Sequence, residues 1–454
     1  MPDKTKTQEI LQKAINLSPA DQTEVVLISD RFRLTRFAES VIHQNIANEE
    51  TRLIVTTVAD KKVGIATTND LSPAGIEGAV STAMRISSLQ EADERFESFP
   101  TPEMAPPLEK TVFVEPNLNF NADDMAGAVS GIVKMAGSKD LEAAGAFRHE
   151  IQTVGIANSL GVEQFGQFGK SEMSLTVNGQ EDNSGYAIGF NPDPAKIDFQ
   201  AVAERAIKKA EASTDPVTLP DGKFTVILEP AAVGQLLLFL GFLGFGGRTM
   251  LQRRSFLSGK TGELITGENI TITDEPENPA FGSLLFDFEG IRRQSIKPID
   301  QGKAGDGAFD SYYAAQMGVT PTGHALPPDN SYGPYPKNLA IAPGKATVEE
   351  MIASTERGVL ITHFWYINFL NPMRTMITGT TLDGTFLIEN GKVGSAIKNM
   401  RTNQSILEAF SNVEMISRNR VVYPQYSSLL LVPAMKINGF DLVQETKEEW
   451  EGKC

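Results

Sequence analysis

The chain reads as an α+β protein. It has an N-terminal domain of duplicated antiparallel strands plus covering helices and a C-terminal strand-rich domain, barrel-like or sandwich-like. Three observations carry that reading. The 454 residues exceed what one ordinary hydrophobic core holds. Strand-like runs leading into an amphipathic helix occur twice in the first half. A turn-rich stretch, Thr214–Gly222 (TDPVTLPDG), closes a helix and precedes a new strand, which divides the chain into 1–216 and 217–454.

The N-terminus, MPDKTKTQEILQKAINLS, is polar and helix-forming. The first unit then runs from a strand at Glu24–Ser29 through Arg33–Asn48, Leu53–Val58 and Lys62–Thr67 into a helix from Pro73 to about Leu89. Ser72 is the expected N-cap, and Pro73 takes the first helical position, where its missing N–H costs nothing. Ile76, Ala79, Val80, Ala83 and Met84 recur at helical spacing and give one buried face.

The second unit repeats the order. Strand-like segments Ala146–Ile156, Gly161–Phe168, Glu172–Val177 and Tyr186–Gly189 precede a helix from Phe199 to Ala212, capped by Asp198. Val202, Ala206, Ile207 and Ala210 form its apolar face. A proline-rich connector, Phe96–Asn117, and a helix at Ala122–Ala136 lie between the units. Strands followed by a covering helix, twice over, imply layers with antiparallel pairing.

In the second half, strand-like Phe224–Leu228 and Pro230 precede an apolar helix, Ala231–Phe245 (AAVGQLLLFLGFLGF), whose one polar side chain is Gln235. Such a helix is built to pack. Gly282–Phe288, Phe386–Glu389, Val421–Tyr423 and Leu429–Val432 are the further strand candidates, and Asp383-Gly384 and Asn390-Gly391 carry tight-turn chemistry. A long loop, 297–344, collects Gly, Pro, Asp and Asn. Its aromatics Phe309, Tyr312, Tyr313, Tyr332 and Tyr335 point to an ordered loop over a cleft.

Composition narrows the function classes. Hydrophobic content of 41% and charged content of 22% are those of a soluble globular protein. The formal charge of −16 argues against nucleic acid as a partner, because duplex binding needs a basic surface that displaces counterions. There is no apolar core for a signal peptide, and the longest apolar run falls short of the roughly 20 residues a membrane span needs. The lone Cys454 excludes an intramolecular disulfide and fits a reducing compartment, so a cytoplasmic location is expected.

His43, His149, His324 and His363 lie far apart, with no helical metal-ligand spacing. His149-Glu150 begins like a metalloprotease motif, but no second His follows within reach. His363 alternates as a strand residue and is expected at a domain or subunit interface, and with His324 it is a candidate for a substrate or partner cleft. His324, in the long loop, is a candidate substrate or partner contact. Asp383 and Asn390 are expected in structural turns, and the pairs Arg253-Arg254 and Arg292-Arg293 on solvated faces.

The run Gly358–Lys392 (GVLITHFWYINFLNPMRTMITGTTLDGTFLIENGK) resembles the signature region of the TldD/PmbA family, also described as modulators of DNA gyrase. Arg36–Asn45, Lys62–Val80 and Val432–Phe440 resemble it in the same order. The resemblance implies a two-subunit metalloprotease acting on unfolded peptides. The TldD-type subunit carries a His-Glu-x-x-x-His motif and a downstream cysteine, and the PmbA (TldE)-type subunit lacks them. Carried onto this chain, the two ligand positions are Leu238 and Leu243 and the general-base position is Phe239. The downstream SFLSGKTGE at Ser255–Glu263 supports that register, and the cysteine would fall near Arg420–Tyr423, where there is none. Leu, Phe and Leu offer no lone pairs to a cation. The resemblance therefore implies a PmbA-like subunit with no catalytic residue and no metal or cofactor of its own, zinc being expected in the TldD-type partner. Two other classes remain: a homodimeric, non-enzymatic peptide-binding module, and an enzyme using His363 or His324 as a base.

Overall fold

The computed structural model describes residues 1–444 apart from Phe113, Glu181 and Asp182; Cys454 lies outside the described residues. The side chain of Asp3 accepts from the Lys6 N–H and starts α1 (Lys4–Leu17). Strands β1 (Gln22–Ala38), β2 (Val41–Ala59) and β3 (Lys62–Thr68) then form a meander closed by α2 (Pro73–Leu89). The same succession returns as α3 (Ala122–Gly137), β4 (Glu142–Asn158), β5 (Glu163–Asn178), β6 (Ser184–Asn191) and α4 (Phe199–Ala212). The expected caps are in place: the Ser72 hydroxyl accepts from the Gly75 N–H at 3.1 Å, and Asp198 accepts from the Ala201 N–H at 2.9 Å.

The six strands make one sheet in the order β3-β2-β1-β4-β5-β6, antiparallel throughout. Two helix–three-strand–helix units thus meet at the β1–β4 seam, and each takes in an opening helix that the sequence reading places outside the repeat. Gly161–Phe168 and Glu172–Val177, expected as separate strands, fall on the single strand β5 from Glu163 onward, which stays in register with β4 through Gly169 and Lys170. Ile10, Leu11, Ile76, Val80, Val129 and Val202 cover one face of this sheet with helix. The other face is also buried: Val26, Ile28, Ile54 and Val154 pack against Val112 of the connector and Leu284 and Phe286 of the second half.

The second half contains β7 (Gly222–Leu228), α5 (Pro230–Gly244), α6 (Gly247–Leu251), β8 (Ile272–Asp274), β9 (Ile296–Asp300), β10 (Lys303–Ala304), α7 (Ser311–Met317), β11 (Leu339–Ile341) and α8 (Val348–Ala353). It continues with β12 (Arg357–Asn371), β13 (Met376–Glu389), β14 (Lys392–Ala396), β15 (Met400–Ser405), α9 (Ile406–Ser411), β16 (Val413–Gln425) and β17 (Ser428–Gln444). Eleven strands form one mixed sheet. Along its path β17-β15-β13-β12-β7, strand β7 pairs with β17 again, so these five strands close a ring. This is the barrel-like form of the predicted strand-rich region. The long loop 297–344 carries most of β9 and all of β10, α7 and β11.

Two expectations fail here. Gly282–Phe288 is not a strand; it makes only isolated bridges, Val112↔Leu284 and Phe286↔Arg292. Its apolar residues serve the other sheet, and Gly282 at φ +61° breaks extended pairing. Asp383-Gly384 is not a turn between strands. Both residues lie inside β13 at φ +54° and +117°, where the pairing with β12 slips between Ile361 and His363. The residues that suit a tight turn also suit a bulge, since each supplies positive φ cheaply. Asn390-Gly391 is the tight turn between β13 and β14, at φ +49° and +75°.

Candidate functional site

Helix α5 is buried on nearly every side. Leu238 is 1% exposed and Leu243 8%, while the Phe239 ring lies 4.6 Å from that of Phe369. Gln235 spends its polar groups on β12, donating to the Phe364 carbonyl at 2.7 Å and accepting from the Phe364 N–H at 2.8 Å. The stretch Arg420–Tyr423 does approach this helix: a Cβ on Gly234 would lie 2.6 Å from the Tyr423 ring. The structure thus brings the two stretches of the expected motif together, with the Tyr423 ring laid against the helix. Leu238, Phe239 and Leu243 do not fit a zinc ion, since none of their side chains offers a donor atom. Among the described residues, no group of three or more His, Cys, Asp and Glu side chains is placed to hold a metal.

The outer edge of the helix continues into an exposed apolar surface. Trp365, Tyr366, Leu370 and Met373 at the far end of the β12–β13 hairpin are each more than half exposed. Phe242 stacks on Tyr335 at 5.2 Å, and the exposed rings of Tyr332 and Tyr426 stand beside it.

A cavity of about 270 Å³ lies between the two sheets. Its floor is built from alternate residues of β4 and β5, which a strand presents on one face. Arg148, Glu150 and Gln152 stand opposite Glu172, Lys170 and Phe168. Lys170 and Glu150 pair at 3.0 Å. Phe286, Phe288, Arg293, His324, Tyr335 and Lys337 close the cavity from the second half.

Behind this wall sits a buried polar network around Asp274. Its Oδ2 accepts from Arg293 Nη2 at 2.9 Å and meets His324 Nε2 at 3.1 Å, while its Oδ1 accepts from the Asn338 N–H at 2.6 Å. Burial pushes the Asp274 carboxyl up, but Arg293, His324 and the Asn338 N–H together hold it below the usual carboxylate range. Burial lowers His324 and outweighs the pull of Asp274. Lys337 is driven down to about 7 by burial first and then by the cations Arg293 and Lys170. A second group of buried carboxyls lies nearby. Burial and Asp287 raise Glu24 to about 8, and burial leads in raising Asp287 to about 7 and Asp310 to about 6.

The two candidate histidines are not brought together. His324, 2% exposed, lines the cavity. Its Nδ1 meets Thr322 Oγ1 at 2.8 Å, so Thr322, His324 and Asp274 stand in the order of a nucleophile, base and orienting acid. However, the Thr322 hydroxyl is held by the Phe309 backbone, accepting from its N–H at 2.7 Å and donating to its carbonyl at 3.2 Å, and Thr322 does not line the cavity. His363 lies where the sheets meet: Nε2 is 2.8 Å from Asp383 Oδ2, and its ring is 4.4 Å from that of Tyr186 on β6. His149 is buried between Ser171 Oγ at 2.9 Å and the Asn117 carbonyl at 3.2 Å. The Arg292-Arg293 pair is split, Arg292 outside against Glu277 and Arg293 inside on Asp274, which corrects the expectation of a solvated face for both. Lys170, Glu172 and Lys337 were not expected in a site. Charges at alternate positions of β4 and β5 read as an ordinary solvated strand face, and only the layer from the second half encloses them.

Three family models match the chain. The PmbA/TldA metallopeptidase C-terminal domain matches residues 221–443, domain 1 matches 23–87, and the central domain matches 117–214. The chain belongs to the PmbA/TldD metallopeptidase family. Among relatives in this family, it is 26% identical to a metalloprotease of Methanothermobacter thermautotrophicus over 46% of this chain and 45% of that protein. It is 28% identical to a metalloprotease TldD homolog of Haemophilus influenzae over 48% and 46%. The chain thus spans about half the length of those two relatives. With the metalloprotease PmbA of Escherichia coli it shares 24% identity over 86% of each chain. The solved TldE of Thermococcus kodakarensis superposes with a TM-score of 0.85 at 21% identity, covering 96% of this chain and 99% of that one. A protein from Bacteroides thetaiotaomicron, described as a modulator of DNA gyrase, superposes at 0.84 and 20% identity over 98% and 100%. These likenesses establish the fold.

Proposed function

We propose that this chain is the subunit without metal in a two-chain, cytoplasmic metallopeptidase of the PmbA/TldD family. In this reading it pairs with a TldD-type chain that holds zinc, and it helps to enclose unfolded or extended peptides. The observation that carries it is the packing of Leu238, Phe239 and Leu243, at the positions the family resemblance gives to the ligands and base. A carboxylate and two imidazoles there would need a cation to be tolerated in so apolar a place. The exposed apolar hairpin around Trp365 and Tyr366 suits a protein partner, because a surface of this kind is costly in water. Sheet edges can take an extended peptide through backbone hydrogen bonds, which are indifferent to sequence.

The test is reconstitution. The purified chain should show no peptidase activity and no stoichiometric zinc, and adding a TldD-type chain should create activity that a chelator abolishes. Chelator-sensitive activity from the isolated chain overturns the proposal. The same apolar hairpin also suits a second copy of this chain, in a homodimeric peptide-binding module. Native mass measurement separates the two: a homodimer that persists in the presence of the TldD-type chain favours the module.

A further inference from the structure

The cavity between the sheets meets helix α5 through Tyr335 and Tyr426, whose rings stand by Phe242, and its chemistry points to a ligand that needs no metal. Among the described residues, Lys337 Nζ has neither a hydrogen-bond nor an ion-pair partner. Its neighbours are the Phe288 ring, 5.1 Å from the ammonium, and the cations Arg293 and Lys170. Both of those cations are already engaged, Arg293 by Asp274 and Asn338 and Lys170 by Glu150. A half-buried amine repelled by its neighbours holds its proton weakly, and an anion beside it would restore the charged form.

The rest of the lining describes that anion. Phe168, Phe190, Phe286 and Leu429 supply apolar wall. Asp329, Glu150, Asp274 and Glu172 already face Arg52, Lys170, Arg293 and Arg148, which leaves Lys337 to be answered and fits a singly charged guest better than phosphate. The volume of about 270 Å³ suits a body the size of one aromatic amino acid or a dipeptide. We propose that the inter-sheet cavity is a binding site for a small monocarboxylate with an apolar body, its carboxylate on Lys337 and its body against the phenylalanine wall. The same chemistry is presented by a free aryl-alkyl acid and by the C-terminal residue of a short peptide. The site goes beyond the metallopeptidase reading and requires no partner chain.

Titration calorimetry on the full chain alone tests it, with 3-phenylpropanoate, Gly-Phe and Gly-Phe amide as probes. At least one of the two acids should bind saturably at one site per chain, and the amide at least about tenfold more weakly, as loss of a charge-assisted hydrogen bond requires. Binding of 3-phenylpropanoate alone identifies a free acid as the ligand class, and binding of Gly-Phe identifies a peptide end. Lys337→Met should weaken the acid to the level of the amide, with a melting temperature no lower than the parent's. Absence of saturable binding by both acids overturns the proposal. So does equal binding of acid and amide by the parent chain, a result that needs no variant, or undiminished binding by a folded Lys337→Met. None of these outcomes depends on peptidase activity, so this site and the subunit assignment fail separately.

Discussion

Helix α5 and the layer between the two sheets are equally enclosed but oppositely composed. The helix buries Leu236, Leu237, Leu238 and Leu240 with no charge among them, and its single amide is paired to backbone. The layer between the sheets buries Asp274, Arg293, His324, Glu24 and Asp287. The difference separates two kinds of buried site. One region offers a cation no side-chain donor and is filled with hydrocarbon. The other keeps charges out of water, which a fold tolerates when the groups satisfy one another or serve a ligand.

Four substitutions sharpen or break that contrast. Asp274→Ala should do the most damage, on the order of 3–5 kcal/mol in chemical denaturation, because it strands a buried guanidinium and imidazole together. A loss below about 1 kcal/mol would mean that the network is not what joins β8 to the loop. Leu238→Ala should follow at about 2–5 kcal/mol, the transfer and cavity cost of a large-to-small change in a packed core. If instead it cost almost nothing, the helix would be surrounded by space rather than by side chains.

Third comes Glu24→Gln, whose effect is a slope in pH. The Glu24 carboxyl has an ordinary value of 4.5 and stands near 8 in the folded chain, so between these values the folded state keeps a proton that the unfolded state releases. Its contribution to stability is complete below the unfolded value and is lost as pH rises through the folded one. The variant should therefore gain on the parent from about pH 5 to about pH 8, on the order of 1–3 kcal/mol in the difference of unfolding free energies. A flat difference refutes the raised value. Smallest in stability is Tyr366→Ser, at the exposed hairpin end, which should move unfolding by no more than about 0.5 kcal/mol. Under the proposed function it should still weaken association with a TldD-type chain in sedimentation. Unaltered association would remove the hairpin from the interface.

Legibility in the sequence follows the range of the physics. Helices α2 and α4 are readable to within a residue because Ser72, Pro73 and Asp198 act locally, and their apolar faces repeat at fixed spacing. Gly282–Phe288 misleads because its apolar residues satisfy a distant sheet, which no local pattern encodes. Asp383 misleads in a different way. Its positive φ is correctly signalled, yet only the pairing of β12 with β13 turns that signal into a bulge beside His363. The inertness of Leu238, Phe239 and Leu243 is visible from residue types alone. Convergence of Lys170, Glu172 and Lys337 is not, since two of them lie on one strand and the third arrives on a loop from the other half.

Ring closure in the second half also has a consequence for the order of assembly during synthesis. Strand β7 needs β17, and β17 also supports β11, β15 and β16. The six strands of the first sheet are all translated by Asn191, so that sheet can pair while the chain is still emerging. The second half must wait for its last strand. A nonsense codon just before Ser428 would leave the first sheet complete and strand four others without their neighbour, so the chain's final seventeen described residues act as the keystone of its latter half.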